Sequence, residues 1–150
     1  MEKPRGRNLR SGRISELGRI YLVTTVTRGR FPHFRDFHLG RLLVDVLRVE
    51  SLRAGTLAYV VMPDHLHWLL QLGHSYSLSR VVADVKSMSS RRIGAASGWR
   101  GSLWQAGFHD HALRSEEDLL GIARYVVANP LRAGLARTVR DYPLWDAIWL

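Results

Sequence analysis

The sequence predicts an α+β protein of the ferredoxin-like, split-βαβ kind, with a four-stranded antiparallel sheet, two helices on one face and an added helix by the open face. Three observations lead there. Strand-like and helix-like runs follow the order strand, helix, strand, strand, helix, strand, helix. Within 65–72, Leu66, Trp68, Leu70 and Leu72 fall on one face and His65, His67, Leu69 and Gln71 on the other, because strand side chains alternate. The last helix carries both a start and a stop signal, Ser115 with Asp118 ahead of it and Pro130 behind.

Each element has its own warrant. Ile20 to Thr27 is β-branched and aromatic, a first strand. Asp36 suits the N-cap of a helix whose Leu39, Leu42, Leu43, Val46 and Leu47 recur at helical spacing and which ends near Gly55. Leu57–Met62 and His65–Leu72 read as a hairpin turned by Pro63-Asp64. Leu78, Val81, Val82 and Val85 mark a second helix running toward Arg92, with Gly94 and Gly98 punctuating the loop after it. Phe108 to Arg114 is a fourth strand, and Leu119, Ile122, Ala123 and Val126 form the apolar stripe of the third helix.

The organisation that follows is a basic arm over 1–19, a single domain over 20–135 and a tail over 136–150. A chain of 150 residues needs no second domain. The ending from Tyr142 to Leu150 suits either docking against the sheet or guiding a ligand.

Composition narrows the function. Cysteine is absent, which excludes disulfides, thiolate zinc sites and a cysteine nucleophile. No apolar run reaches membrane-spanning length and no secretory pattern opens the chain, so a cytoplasmic protein is expected. The net charge of +9 and pI near 11.0 favour a polyanionic partner, nucleic acid before lipid. Apart from Lys3 and Lys86 the basic side chains are arginine, whose planar fork suits phosphate. Two runs hold most of the excess: Arg5, Arg7, Arg10 and Arg13 in the arm, and Arg80, Lys86, Arg91 and Arg92 on the second helix. These are the candidate DNA-phosphate contacts.

The chemistry is concentrated elsewhere. His65 and His67 share one strand face, and two imidazoles so placed can approach one divalent ion, leaving positions for phosphate oxygens and water. Spacing alone also suits two solvated strand histidines. A second pair, His109 and His111, competes, but in a ferredoxin-like sheet the first strand separates the third from the fourth, so one ion does not bridge both pairs. Tyr125 is a candidate nucleophile on the third helix. Asn129, four residues on and so on the same face, offers an amide oxygen to complete the metal shell. Packing at a helix edge is the plain alternative for both.

At these residues the chain resembles a known family. Met62-Pro63-Asp64-His65-Leu66-His67, Trp104-Gln105 through Phe108-His109-Asp110, Arg114 to Asp118, Tyr125 to Pro130 and Gly134-Leu135 are similar to the REP-associated tyrosine transposases, as are Leu9 to Arg13 and Tyr21 to Thr24. These belong to the single-tyrosine HUH transposases. The resemblance implies that His65 and His67 ligate a divalent metal, Mg2+ or Mn2+. It also implies that Tyr125 cleaves single-stranded DNA to leave a 5′-phosphotyrosine link and a free 3′-OH. The implied substrate is a repetitive extragenic palindrome folded as a hairpin with a short unpaired mark, which Trp99, Trp104, Trp145 or Trp149 could stack against. The expected setting is the nucleoid. No obligatory protein partner is evident; the locally connected tyrosine helix favours a monomer and leaves a dimer open. The competing readings are a non-catalytic hairpin-DNA binder and a hydrolase in which water replaces Tyr125.

Overall fold

The computed structural model describes residues 19–147. Five strands, β1 (Ile20–Val26), β2 (Ala54–Met62), β3 (His65–Leu72), β4 (His109–Ala112) and β5 (Trp145–Ala147), make one antiparallel sheet ordered β4-β1-β3-β2-β5. The inner order β4-β1-β3-β2 is the predicted split βαβ. The fifth strand is new.

Helices α1 (Phe37–Val49) and α2 (Leu78–Ser97) bury their stripes against the face that carries Val23, Val61, Leu66, Trp68, Leu70 and Leu72. Helix α3 (Glu116–Val127) covers the opposite face, where Leu119, Ala123 and Val126 meet Val60, Met62 and Leu69. Burying a Leu or Val of this kind contributes about 1.5–3 kcal/mol, enough to seat the helix by a few residues. A one-turn helix, α4 (Asn129–Arg132), follows α3 directly, with Pro130 in its first turn. There the missing proline N–H costs nothing, so Pro130 ends one helix and begins the next.

Two caps are as predicted: Asp36 accepts from the amides of His38 and Leu39, and Ser115 from that of Asp118. Several boundaries moved for identifiable reasons. α1 stops at Val49 rather than near Gly55, because buried Glu50 accepts from Arg53 Nε at 2.8 Å, and Arg53 also holds Asp84 of α2 at 2.8 Å. That clamp lets β2 begin at Ala54, with a register shift between Thr56 and Ala58. α2 continues through Gly94 because Ile93 is fully buried, and only Gly98, left-handed at φ 78°, terminates it. β4 is shorter than the predicted 108–114, since only His109–Ala112 pair with β1.

Of the two roles left open for the ending, docking is the one observed. The Tyr142 hydroxyl donates to the Val61 carbonyl at 2.5 Å, Leu144 packs over Gly40, and Trp145–Ala147 pairs with β2. Among the described residues, no helix is long and apolar enough to cross a membrane.

Candidate metal and tyrosine site

The alternation read from β3 holds in three dimensions. His65 and His67 lie on the face that α3 covers, opposite α1 and α2. Each histidine is fixed through its Nδ1: His67 contacts Thr24 Oγ1 at 2.9 Å and His65 contacts Asp64 Oδ1 at 2.7 Å. A carboxylate only accepts, so His65 Nδ1–H donates to Asp64, which leaves the Nε2 lone pair free. The Thr24 hydroxyl can hold His67 in the same tautomer. The two rings stand 4.8 Å apart at 84°.

A further layer steadies the turn. Asp64 accepts from Arg30 Nη1 at 3.0 Å, and its carbonyl accepts from the Thr27 amide at 2.9 Å. Burial works against the Asp64 charge, but hydrogen bonds from His65 and Arg30 outweigh it and hold the carboxyl below its usual range. The His67 pKa is lowered too, which for an imidazole favours the uncharged form. Burial, then the neighbouring His65 and Arg132, lower its pKa from 6.5 to about 4, so it is neutral at physiological pH and able to act as a ligand.

Tyr125 projects from α3 with 53% of its surface exposed. The Arg132 guanidinium lies 3.9 Å from its ring centroid and donates to its carbonyl at 2.8 Å. Arg132 is also the smallest of the three influences that lower the His67 pKa. Asn129 Nδ2 donates to the Val126 carbonyl at 3.3 Å, so Oδ1 is the atom left for a ligand. Among the described residues, no group of three or more His, Cys, Asp or Glu side chains could hold an ion together. A cation at His65 and His67 would draw its remaining ligands from Asn129, phosphate or water. Two imidazoles oriented through their Nδ1 atoms, each presenting Nε2, fit such an ion.

The competing pair lies where sheet order predicts. His109 faces Thr24 across the β4–β1 ladder, as His67 does across the β1–β3 ladder, so the two share a row with one strand between them. Two strand spacings are about 10 Å.

The basic residues divide. Arg5, Arg7, Arg10 and Arg13 lie outside the described residues. Arg80, Lys86, Arg91 and Arg92 are on α2, on the far side of the sheet from the histidines. Lys86 Nζ donates to the Gln105 and Gly107 carbonyls at 2.7 and 2.6 Å, which makes it a clamp on the loop before β4. Arg80 sits 3.5 Å from Asp84, Arg91 donates to Ser87, and Arg92 is exposed. Of the tryptophans, Trp104 is buried, with Nε1 donating to Ser89, and Trp145 donates to the Val139 carbonyl. Trp149 lies outside the described residues.

Sequence reasoning missed Thr24, Asp64, Arg30 and Arg132. Asp64 adjoins His65 and was within reach as a neighbour. Arg132 lies on α4, beyond the end of the helix that carries Tyr125, so spacing along that helix does not reveal it. Thr24 requires the β1–β3 register, and Arg30 the fold of the β1–α1 connection.

Known proteins are similar to this chain in sequence and in fold. The family described as IS200-like transposases matches residues 22–129, a span that includes both histidines, Tyr125 and Asn129. A Haemophilus influenzae protein provisionally named a REP-associated tyrosine transposase is 29% identical over 139 residues, covering 84% of this chain and 78% of its own. The REP-associated tyrosine transposase of Escherichia coli K12 is 31% identical over 88 residues, 57% of this chain and 50% of that protein. A solved REP-associated tyrosine transposase bound to a REP hairpin has the same fold, with a TM-score of 0.71 at 23% identity over 97% of this chain and 82% of that one. With residues 22–129 of its 150 matched, the chain belongs to the IS200-like transposase family and has REP-associated tyrosine transposases among its relatives.

Proposed function

We propose that this protein is a metal-dependent single-stranded DNA endonuclease and strand transferase that acts at REP-type palindromic hairpins through a 5′-phosphotyrosine intermediate. The observation that carries the reading is the pair of imidazoles held by their Nδ1 atoms, 4.8 Å apart, on the sheet face covered by the helix of Tyr125. Membership of a transposase family and relatives named for REP elements support the substrate class.

His65 and His67, with Asn129 Oδ1, are the residues that would hold the cation. Bound there, Mg2+ or Mn2+ supplies Lewis-acid neutralisation of phosphoryl charge. Tyr125 contributes the nucleophile. Its oxygen bonds to phosphorus as the bond from phosphorus to O3′ breaks; the phenol proton is released and the departing O3′ takes one up. Because the adduct remains a phosphodiester, a 3′-OH can reverse the step and join strands without ATP. Arg132, over the tyrosine ring, holds positive charge beside the reacting group. Stem phosphates would be contacted by Arg91 and Arg92 and by the arginines of the arm. The protein would work at the nucleoid, as a monomer.

The test is end-labelled single-stranded hairpin DNA with manganese, read as a DNA–protein band on a denaturing gel. An adduct lost in both Tyr125→Phe and His65→Ala supports the mechanism. Cleavage without an adduct that persists in Tyr125→Phe would show attack by water, and binding with neither product would show a silent binder.

A further inference from the structure

Away from the histidine site, the described part of the molecule has a cleft of about 450 Å³, between the β1–α1 connection and the C-terminal end of α2. Its size lies in the range of clefts that take small organic ligands. Phe31, His33 and Trp99 form its aromatic wall, with Arg35 and Asp36 at the rim. The three rings pack in mutual contact: Phe31 to His33 at 4.6 Å, Phe31 to Trp99 at 4.7 Å, and His33 to Trp99 edge-on at 4.5 Å.

Two features separate this cluster from ordinary core. Phe31 keeps 46% of its surface exposed although it already has aromatic neighbours. His33 is 96% buried by contrast, at 4% exposure, yet its Nε2 has no hydrogen-bond partner among the described residues, and neither has Trp99 Nε1. Buried polar atoms are nearly always paired, so two orphans lining one cleft point to a ligand that supplies the missing partners. Burial lowers the His33 pKa, which favours the neutral ring. Trp99 follows left-handed Gly98, outside the helix.

The cleft is joined to the histidine site. Phe31 follows Arg30, whose guanidinium holds Asp64, which in turn holds His65. The Phe34 amide also donates to the Pro63 carbonyl at 3.0 Å. Whatever occupies the cleft therefore lies beside the turn that positions the proposed metal ligand. Arg28, Arg30 and Arg35 are exposed along this connection, and the chemistry that pairs a flat aromatic surface and polar edge with a phosphate is that of a nucleotide.

We infer that the cleft lined by Phe31, His33 and Trp99 receives one unpaired nucleobase of the DNA, stacked on Phe31, with its edge bonded to the ring nitrogens of His33 and Trp99. This rests on the DNA reading above and deepens it: one flipped base anchors the strand beside the turn that carries Asp64. The exposed arginines of the connection take its flanking phosphates.

The test uses the full chain and hairpin DNA with an unpaired extension, in EDTA so that no cleavage intervenes. Each unpaired position is replaced in turn by an abasic site, and affinity is measured by fluorescence anisotropy for wild type, Phe31→Ala and His33→Gln. Phe31 is exposed, and a melting curve checks that each variant is folded. One abasic position should weaken wild-type binding about 5- to 100-fold and produce no further loss in Phe31→Ala, as expected when base and ring form one stack. Losses that add at every position while the hairpin still binds would overturn the cleft proposal alone. A wild-type protein that binds no hairpin would instead overturn the function beneath it.

Discussion

The guanidinium of Arg132 lies 3.9 Å from the centroid of the Tyr125 ring and donates to the carbonyl of the same residue at 2.8 Å. One side chain thus closes the end of α3, where helix carbonyls lack partners, and sets a positive charge against the face of the proposed nucleophile. Arg132→Gln should slow single-turnover adduct formation about 100- to 1,000-fold, the range for removing one donor that stabilises charge at a reacting centre. Arg132→Lys should recover part of the loss. An unchanged adduct rate in Arg132→Gln would reduce the contact to packing.

Thr24 and His67 make a second testable pair. In Thr24→Val the shape is kept, but His67 Nδ1 loses its 2.9 Å partner. The manganese concentration needed for half-maximal adduct should rise about 10- to 100-fold, since a partner of this kind orients a metal-binding imidazole. Titration of adduct yield against manganese checks it, with Tyr125→Phe as the blank.

His67 also predicts a pH dependence of stability. Its folded pKa of about 4 lies below the ordinary 6.5, so between those values the unfolded chain binds the extra proton. The neutral imidazole's contribution is complete above pH 6.5 and is lost as pH falls toward 4, by up to about 3 kcal/mol. Urea unfolding without divalent ions over this window should show stability falling with acid more steeply in wild type than in His67→Gln.

Lys86 should behave as part of the frame. It is half-buried, burial lowers its pKa, and it reaches two carbonyls of the 105–107 loop. Lys86→Met should cost about 1–3 kcal/mol, read as a fall of several degrees in melting temperature. The dependence of DNA affinity on salt should change by less than the roughly one ion per site expected from losing a phosphate contact.

Much of this molecule was legible in its sequence where local and global signals agree. Strict alternation in 65–72 separated the histidine face from the core because each residue of a strand has only two faces available. Ser115, Asp118 and Pro130 bounded the tyrosine helix through caps and ring geometry. What escaped depended on distant partners. α1 ends early because Glu50 meets Arg53 and Asp84, and β5 exists because Tyr142 and Leu144 find Val61 and Gly40. The carbonyls that Lys86 meets were not legible, because they belong to a loop that nothing in its own helix reveals. At the candidate site, the two histidines and the tyrosine were visible as residue types at strand and helix spacing, whereas Thr24 and Arg30 acquire their positions only from pairing and loop geometry.

The two halves of the proposed centre rest on unlike foundations. β3 is hydrogen-bonded along both edges, to β1 and to β2, so sliding it by a single residue would turn both imidazoles to the wrong side and break two ladders together. α3 packs on the sheet through side chains, among them Leu119, Ala123 and Val126. Over generations of sequence drift, the imidazole pair is therefore the conservative half and the tyrosine the adjustable one. Small changes in the size of residues under α3 can carry the phenol toward or away from an unmoved pair, so variation in reach among descendants of this chain should collect beneath that helix.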